Sequence, residues 1–334
     1  MKRGIDKFKF FNRTSRHRSF DKKAQIHFGW IFAVLVGGAI LFFAIYGAMK
    51  TGDTQRLQTD SQVAKSISVL TDPLQAGFSE GSKGEIHFKK ITRINNNCYD
   101  NAFGRNDLSV STRSDIGKEW NTPGVETSIY NKYIFSKERT EAKDFYVFSK
   151  PLELPYKIAD LIFLISDNYC FLQAPEEIAD ELSSFNIPAI QVETKLENCT
   201  LPNQTIVCFR ARDPKDCDMF VHDISGEGII TKGKSEDDDI QYTGEALMYA
   251  VIFSDKINYQ CNVQRLLYRG QIIADELTKK SALMSSRGCQ SSINQDLTIW
   301  KQILNSTSPD GVKGLYTQSI ELNDKNERER CNLW

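Results

Sequence analysis

Apolar positions are most concentrated in residues 26–49, an unbroken segment without Asp, Glu, Lys or Arg. As a helix rising about 1.5 Å per residue, this segment is long enough to cross the roughly 30 Å hydrocarbon layer of a bilayer. Trp30 and Tyr46 lie near its two ends, where aromatic rings favour the membrane interface. The pattern predicts a single transmembrane helix.

A weaker helical pattern follows. Apolar residues recur at helical spacing among polar ones over residues 54–70, and Pro73 ends the pattern. We therefore expect an amphipathic helical stalk over residues 50–72 and a separate domain over residues 73–334.

Within residues 73–334, short apolar or alternating runs predict strands and longer periodic runs predict helices. Residues 175–185 lie between two strand patterns, so strand, helix and strand form a small α/β unit there. The last thirty residues are polar and predict a surface arm. The fold class expected is α+β (mixed α/β) on a single transmembrane helix. Strands are predicted at residues 84–94, 107–112, 145–148, 159–165, 169–172, 190–193, 204–210, 218–222, 228–231 and 246–253, and helices at residues 175–185, 255–285 and 293–304.

The charges that flank the apolar segment predict its orientation. Residues 1–25 carry nine Lys or Arg and two Asp, a net charge of +7, within a chain whose total is −1. Excess Lys and Arg stay in the cytoplasm, so this basic tail is expected inside and the large domain outside. The tail would face anionic lipid headgroups, and no feature indicates nucleic-acid binding. The predicted location is the cell membrane, with the lipid bilayer as a partner.

All eight cysteines follow the apolar segment, which in an oxidising compartment predicts a disulfide framework. No C-x-x-C pair occurs and the histidines do not cluster with cysteines, so we expect neither a metal site nor a thiol oxidoreductase. Spacing leaves the pairing open, although a turn at Asn203-Gln204 would place Cys199 opposite Cys208 in a hairpin. Cys261 and Cys289 flank a long helix and should pair elsewhere. The disulfide candidates are Cys98, Cys170, Cys199, Cys208, Cys217, Cys261, Cys289 and Cys331.

Processing of the amino terminus is a separate question. The apolar segment is longer than that of a cleaved secretory signal. However, the run Lys22-Lys23-Ala24-Gln25 before it resembles the prepilin-type signal of archaeal type IV pilin-like proteins. That resemblance implies cleavage between Ala24 and Gln25 and a filament subunit. Gly29 stands where many bacterial pilins carry an acidic residue, which departs from the pilin pattern.

Two patterns resemble active-site motifs. Residues 228–235, from Gly228 to Ser235, fit the phosphate-loop spacing, but strand-like residues fill the pattern and four carboxylates at residues 236–239 follow it. We therefore expect a strand and a solvated turn. Residues 77–81 fit G-x-S-x-G around Ser79, but Pro73 and a helical pattern precede them instead of a buried strand. No catalytic residue, cofactor or enzyme activity is predicted.

Three N-x-[ST] acceptors lie on the side predicted to be extracytoplasmic. Asn203 and Asn305 are the glycosylation candidates, and Asn198 is the weaker one because it adjoins Cys199.

The basic tail, the K-A-Q-I-H entry to the apolar segment and the helical stretch that contains Cys261 together resemble uncharacterised single-pass surface proteins of small-genome archaea. This resemblance implies an anchored surface protein and carries over no known activity. The function expected is binding or structural, with an unknown extracellular or cell-envelope protein as partner. The alternative is a pilin-like subunit cleaved before Gln25.

Overall fold

The structure is a computed structural model that describes residues 29–48, 50, 64, 67, 83–114, 119–209, 217–222, 225–233, 239–289 and 291–334. The chain divides into two compact units, Met1–Asp53 and Thr54–Trp334. In the first unit, helix α1 spans Gly29–Ala48 and is the one helix in the described part of the chain that is long and apolar enough to cross a membrane. Such a helix fits a membrane anchor or a signal sequence. The predicted cleavage position at Ala24 and Gln25 lies outside the described residues.

The second unit is a mixed α/β domain, which confirms that part of the predicted fold class. Its first sheet has the strand order β3-β2-β1-β5-β6-β4, and only β4 and β6 pair in parallel. The strands predicted at residues 84–94, 107–112, 145–148 and 159–165 are confirmed within this sheet, whereas β3 and β4 lie where we expected loops. The strands are β1 (Lys83–Tyr99), β2 (Arg105–Thr112), β3 (Thr127–Tyr130), β4 (Tyr133–Phe135), β5 (Arg139–Glu153) and β6 (Lys157–Ile165).

This first sheet curls until its two edges meet. β3 and β4 are its edge strands, yet only two residues separate them in the chain. Asn96 of β1 donates its Nδ2 to the carbonyl of Ile134 in β4 over 3.1 Å, and the Ile134 amide donates to Asn106 Oδ1 of β2 over 3.4 Å. Asparagine side chains thus satisfy backbone groups of β4 that a further strand would otherwise bind.

All six strands contribute buried side chains to one apolar core on the concave side of the curled sheet, among them Ile94, Val110 and Ile162. Ala64 and Ile67 are helical and are buried in this core. Because successive side chains of a strand point to opposite faces, the alternate residues face outward. Over β4, β5 and β6 these outward residues are apolar and join a second, larger core.

The second sheet has the order β12-β11-β10-β9-β7-β8. β8, β7, β9 and β10 run parallel, and β11 and β12 are antiparallel additions. Helix α2 (Glu176–Ser184) connects β7 to β8, so the predicted strand–helix–strand unit is confirmed; Pro175 lies just before the helix rather than within it. The strands are β7 (Tyr169–Leu172), β8 (Ile190–Glu193), β9 (Thr205–Cys208), β10 (Met219–His222), β11 (Glu227–Lys232) and β12 (Asp239–Thr243).

Helix α3 (Gly244–Phe253) packs against strands of both sheets. The sequence predicts a strand over residues 246–253, and this prediction is wrong. Every residue from Ala246 to Phe253 is buried, so the helix has no polar face and its sequence lacks helical periodicity. Phe253 stacks edge-on against Phe148 of the first sheet and Tyr169 of the second, which joins the two layers.

Three helices complete the domain: α4 (Lys256–Ser286), α5 (Asn294–Ser306) and α6 (Leu315–Arg328). α4 and α5 confirm the helices predicted at residues 255–285 and 293–304. The predicted surface arm is wrong for most of its length, because α6 buries Leu315 and Leu322 in the larger core. Its many polar residues occupy the opposite, solvent-facing side of the helix.

The eight cysteines form four disulfides: Cys98–Cys261, Cys170–Cys199, Cys208–Cys217 and Cys289–Cys331. The framework is therefore confirmed, as is the expectation that Cys261 and Cys289 pair elsewhere. The hairpin that would join Cys199 to Cys208 is wrong. Residues 199–204 form a connection between two parallel strands, which places Cys199 beside Cys170 of β7 instead.

Candidate ligand-binding cleft

The outward side of β1 and β2 is polar. Alternation places Arg93, Asn95 and Asn97 of β1 on this side, while the residues between them face the concave core. Ser109 and Ser111 of β2 lie directly opposite Asn95 and Arg93, and Asn95 Nδ2 donates to Ser109 Oγ over 3.2 Å. These five side chains form a polar floor.

Residues 119–126 form one wall of the cleft because they run along the end of β2 that lies beyond its pairing with β3. The amides of Asn121 and Gly124 donate to the carbonyls of Thr112 and Val110 over 3.2 and 2.9 Å. Within this segment, the indole of Trp120 lies over the guanidinium of Arg93, with the carbon Cζ 4.0 Å from the ring centroid. A cation and an aromatic ring attract each other in this geometry, so the wall is held onto the floor.

The opposite boundary is the start of β5, with Glu138 and Arg139, and Glu126 lies at the end of the first wall. The enclosed volume is about 650 Å³, within the range of small-molecule sites. The formal charges are two arginines and two glutamates, which cancel. Arg93 is also paired outside the cleft, because its Nε and Nη2 donate to Glu141 Oε1 over 2.8 and 2.6 Å.

We name this feature the polar cleft. The sequence does not predict it, since the only strands expected between residues 75 and 142 are those at 84–94 and 107–112. The alternation of Arg93, Asn95 and Asn97 is present in the sequence, but Asn96 between them is also polar and obscures it. Only the structure explains Asn96, which is buried and binds β4.

The described residues of the sequence motifs are not among those that line the cleft. Gly228 is in β11 and pairs with Tyr242 of β12, so the described part of the phosphate-loop pattern is a strand between antiparallel neighbours. Residues 234–238 and Ser79 lie outside the described residues. Asn203 and Asn305 are both exposed. Among the residues that the structure describes, no three His, Cys, Asp or Glu side chains are placed to hold a metal ion.

A second polar cluster joins β5, α2 and α3. Lys150 Nζ lies 2.5 Å from Glu181 and 2.9 Å from Glu245, and the hydroxyl of Tyr249 donates to Glu181 over 2.7 Å. Burial alone would lower the pKa of Lys150, but the hydrogen bonds to the two carboxylates outweigh burial and the pKa is raised. Burial, together with the Glu181 charge, raises the pKa of Tyr249 well above its usual value. Both groups keep their protons at neutral pH, as expected for a structural ion cluster.

Lys232 at the end of β11 is a partly buried amine whose Nζ donates to the carbonyl of Ser254. Burial lowers its pKa from 10.5 to about 8. Between pH 8 and pH 10.5 the Lys232 amine is largely protonated in the unfolded state and largely neutral in the native state. The free energy of unfolding that Lys232 contributes therefore rises with pH over this range. Below pH 8 its full destabilising effect is present.

We therefore expect Lys232→Met to be more stable than the wild type at pH 7, by roughly 1–3 kcal/mol after the lost hydrogen bond to Ser254 is included. This advantage should shrink towards pH 10.5. Urea unfolding of the two proteins at several pH values measures it, with the exposed Lys279→Met as control. A difference that is the same at every pH would contradict the assignment.

No protein family, no curated protein and no solved structure matches this chain.

Proposed function

We propose that this chain is a single-pass cell-surface protein whose extracytoplasmic domain binds a ligand in the polar cleft. The basic tail would remain in the cytoplasm and α1 would cross the membrane. The four disulfides support an extracytoplasmic location for the domain, because such bonds persist in oxidising compartments.

The observation that carries the proposal is the contrast between the two ends of the first sheet. The outward side of β4, β5 and β6 is covered by helices and the second sheet, whereas β1 leaves the hydrogen-bonding side chains of Arg93, Asn95 and Asn97 partly exposed. A rigid polar surface with a fixed aromatic wall has the features of a recognition site. Binding is favoured over catalysis because the ion cluster at Lys150 is structural and the cleft contains no His, Cys or Lys among its described lining residues.

Hydrogen–deuterium exchange of the full-length chain in phospholipid nanodiscs tests the proposal. Addition of a native cell-envelope extract is expected to slow exchange in residues 119–126 and at the ends of β1 and β2. The variant Asn95→Trp, which fills the floor, should abolish this protection, and Ile299→Trp on the exposed face of α5 is the matched control. Unchanged exchange in residues 119–126 at saturating extract would contradict the proposal.

A second candidate is a pilin-like filament subunit. It is favoured by Ala64 and Ile67, helical residues that are buried in the core of the curled sheet, as in a subunit whose amino-terminal helix packs on a globular head. The intact mass of the chain extracted from its native membrane distinguishes the two. A chain that begins at Met1 supports a permanent anchor, whereas one that begins at Gln25 supports the filament subunit.

A further inference from the structure

We propose that the polar cleft recognises a neutral saccharide. This inference rests on the proposed function, since it names the ligand class of the same site. Hydrogen-bond chemistry, charge and shape each support it.

The hydrogen-bonding groups of the cleft match hydroxyl ligands. Asn, Ser and Thr side chains can each donate and accept, and six of the lining residues are of these types: Asn95, Asn97, Ser109, Ser111, Asn121 and Thr122. Ser109 and Ser111 are buried and Asn121 Nδ2 already donates to Thr112. A ligand therefore reaches the side chains of Asn95, Asn97 and Thr122. A sugar hydroxyl also donates and accepts, so a ring with several hydroxyls can satisfy such a surface from both sides. A ligand with acceptors alone, such as a phosphate or sulfate, would leave the acceptors of the cleft unpaired.

The charges exclude a strong preference for ions. Arg139 lies beside Glu138, and Arg93 already binds Glu141 outside the cleft. On the opposite side, Asn97 Nδ2 lies 3.4 Å from Glu126 Oε1, an acceptor that a ligand hydroxyl can share. Sites for anions carry uncompensated Arg or Lys. The balance here suits a neutral ligand.

The wall supplies the apolar surface that a sugar ring needs. Trp120 is fixed over Arg93, and Pro123 follows in the same segment, which is anchored to β2 through two backbone hydrogen bonds. A pyranose presents C–H groups on its faces and hydroxyls at its rim, so its apolar and polar parts match the wall and the floor. Pre-anchoring of the wall reduces the entropy lost on binding.

Isothermal titration of the full-length chain in phospholipid nanodiscs tests the inference. Sugar-based detergents must be avoided, because their headgroups are themselves neutral saccharides. The probes are neutral hexasaccharides of glucose, mannose and N-acetylglucosamine, a sulfated hexasaccharide and a neutral hexapeptide. At least one neutral hexasaccharide is expected to bind. Trp120→Ala should weaken it about tenfold or more, and Ile299→Ala on α5 should leave it unchanged.

A second variant tests the inference even if the Trp120→Ala protein fails to fold. Asn97→Ala removes a partly exposed floor amide whose only hydrogen bond in the described part of the chain is the one to Glu126, and it should weaken binding about fivefold with normal disulfides. Neutral saccharide binding that neither variant changes would overturn the inference.

The probes also separate failure of the inference from failure of the proposed function. If the envelope extract protects residues 119–126 but only the sulfated probe or the peptide binds, the saccharide class is wrong and the cleft remains a binding site. If neither the extract nor any probe binds, both proposals are overturned.

Discussion

Replacing Arg265 by methionine should lower the free energy of unfolding by about 3–5 kcal/mol, because several buried oxygens would each lose a donor. Arg265 of α4 is fully buried, and none of its hydrogen-bond acceptors is a carboxylate. Burial lowers its pKa to about 10, so the guanidinium remains charged at neutral pH.

The guanidinium of Arg265 links helix α4 to the segments of the first sheet where its two edges meet. Nη1 donates to Asn106 and Asn262, Nη2 donates to the carbonyl of Lys132 over 2.9 Å, and Nε donates to that of Phe103 over 2.8 Å. Its carbon Cζ lies 4.7 Å from the ring centroid of Tyr133. Methionine would remove one donor from each of these oxygens, so that Asn106 Oδ1 keeps only the Ile134 amide, and each buried group left unpaired costs about 1–3 kcal/mol.

Urea unfolding monitored by circular dichroism measures the effect, with Arg287→Met as the control. Arg287 is exposed at the carboxyl end of the same helix, so its replacement should change stability by less than about 0.5 kcal/mol. Equal effects of the two substitutions would show that the network around Arg265 contributes nothing beyond helix propensity.

Removal of the Cys98–Cys261 disulfide should destabilise the domain by about 5 kcal/mol, since loop-closure entropy grows with the length of the closed loop. This bridge joins β1 to α4 across a sequence separation of 163 residues. The double variant Cys98→Ser/Cys261→Ser removes the bridge without leaving a free thiol. Thermal or urea unfolding under non-reducing conditions gives the loss.

Cys208–Cys217, which spans only 9 residues, is the internal comparison. Its double serine variant should lose about 2.5 kcal/mol by the same entropy relation. If Cys208–Cys217 proves more stabilising than Cys98–Cys261, the loss of unfolded-state entropy is not the main way in which Cys98–Cys261 stabilises the domain.

Local patterns explain which parts of the fold the sequence predicts. β7 and β8 are short apolar strands bounded by polar residues, and α4 has a broad apolar stripe, so each is recognisable from its own residues. α3 is buried on every side, so its sequence carries no helical period, and tertiary packing alone determines its conformation. β4 has three residues, and its pairing depends on a parallel neighbour that follows it in the chain.

The candidate site was less predictable than the fold. The cleft needs Trp120 from a segment with no regular structure to lie over Arg93 of a strand 27 positions earlier, and no local pattern predicts that contact. Asn96 and Asn106 resemble loop residues in the sequence, yet they are buried because they bind the backbone of β4.

The disulfide topology has a consequence for how the protein matures. Three of the four bridges join cysteines that are consecutive in the chain, whereas Cys98 must bypass four others to reach Cys261. Oxidation in order of synthesis would join Cys98 to Cys170. Mispaired bonds of this kind are corrected by attack of a free thiolate on the bond. Native pairing of Cys98 therefore needs either folding of β1 onto α4 before oxidation or a compartment that rearranges disulfides as well as forming them.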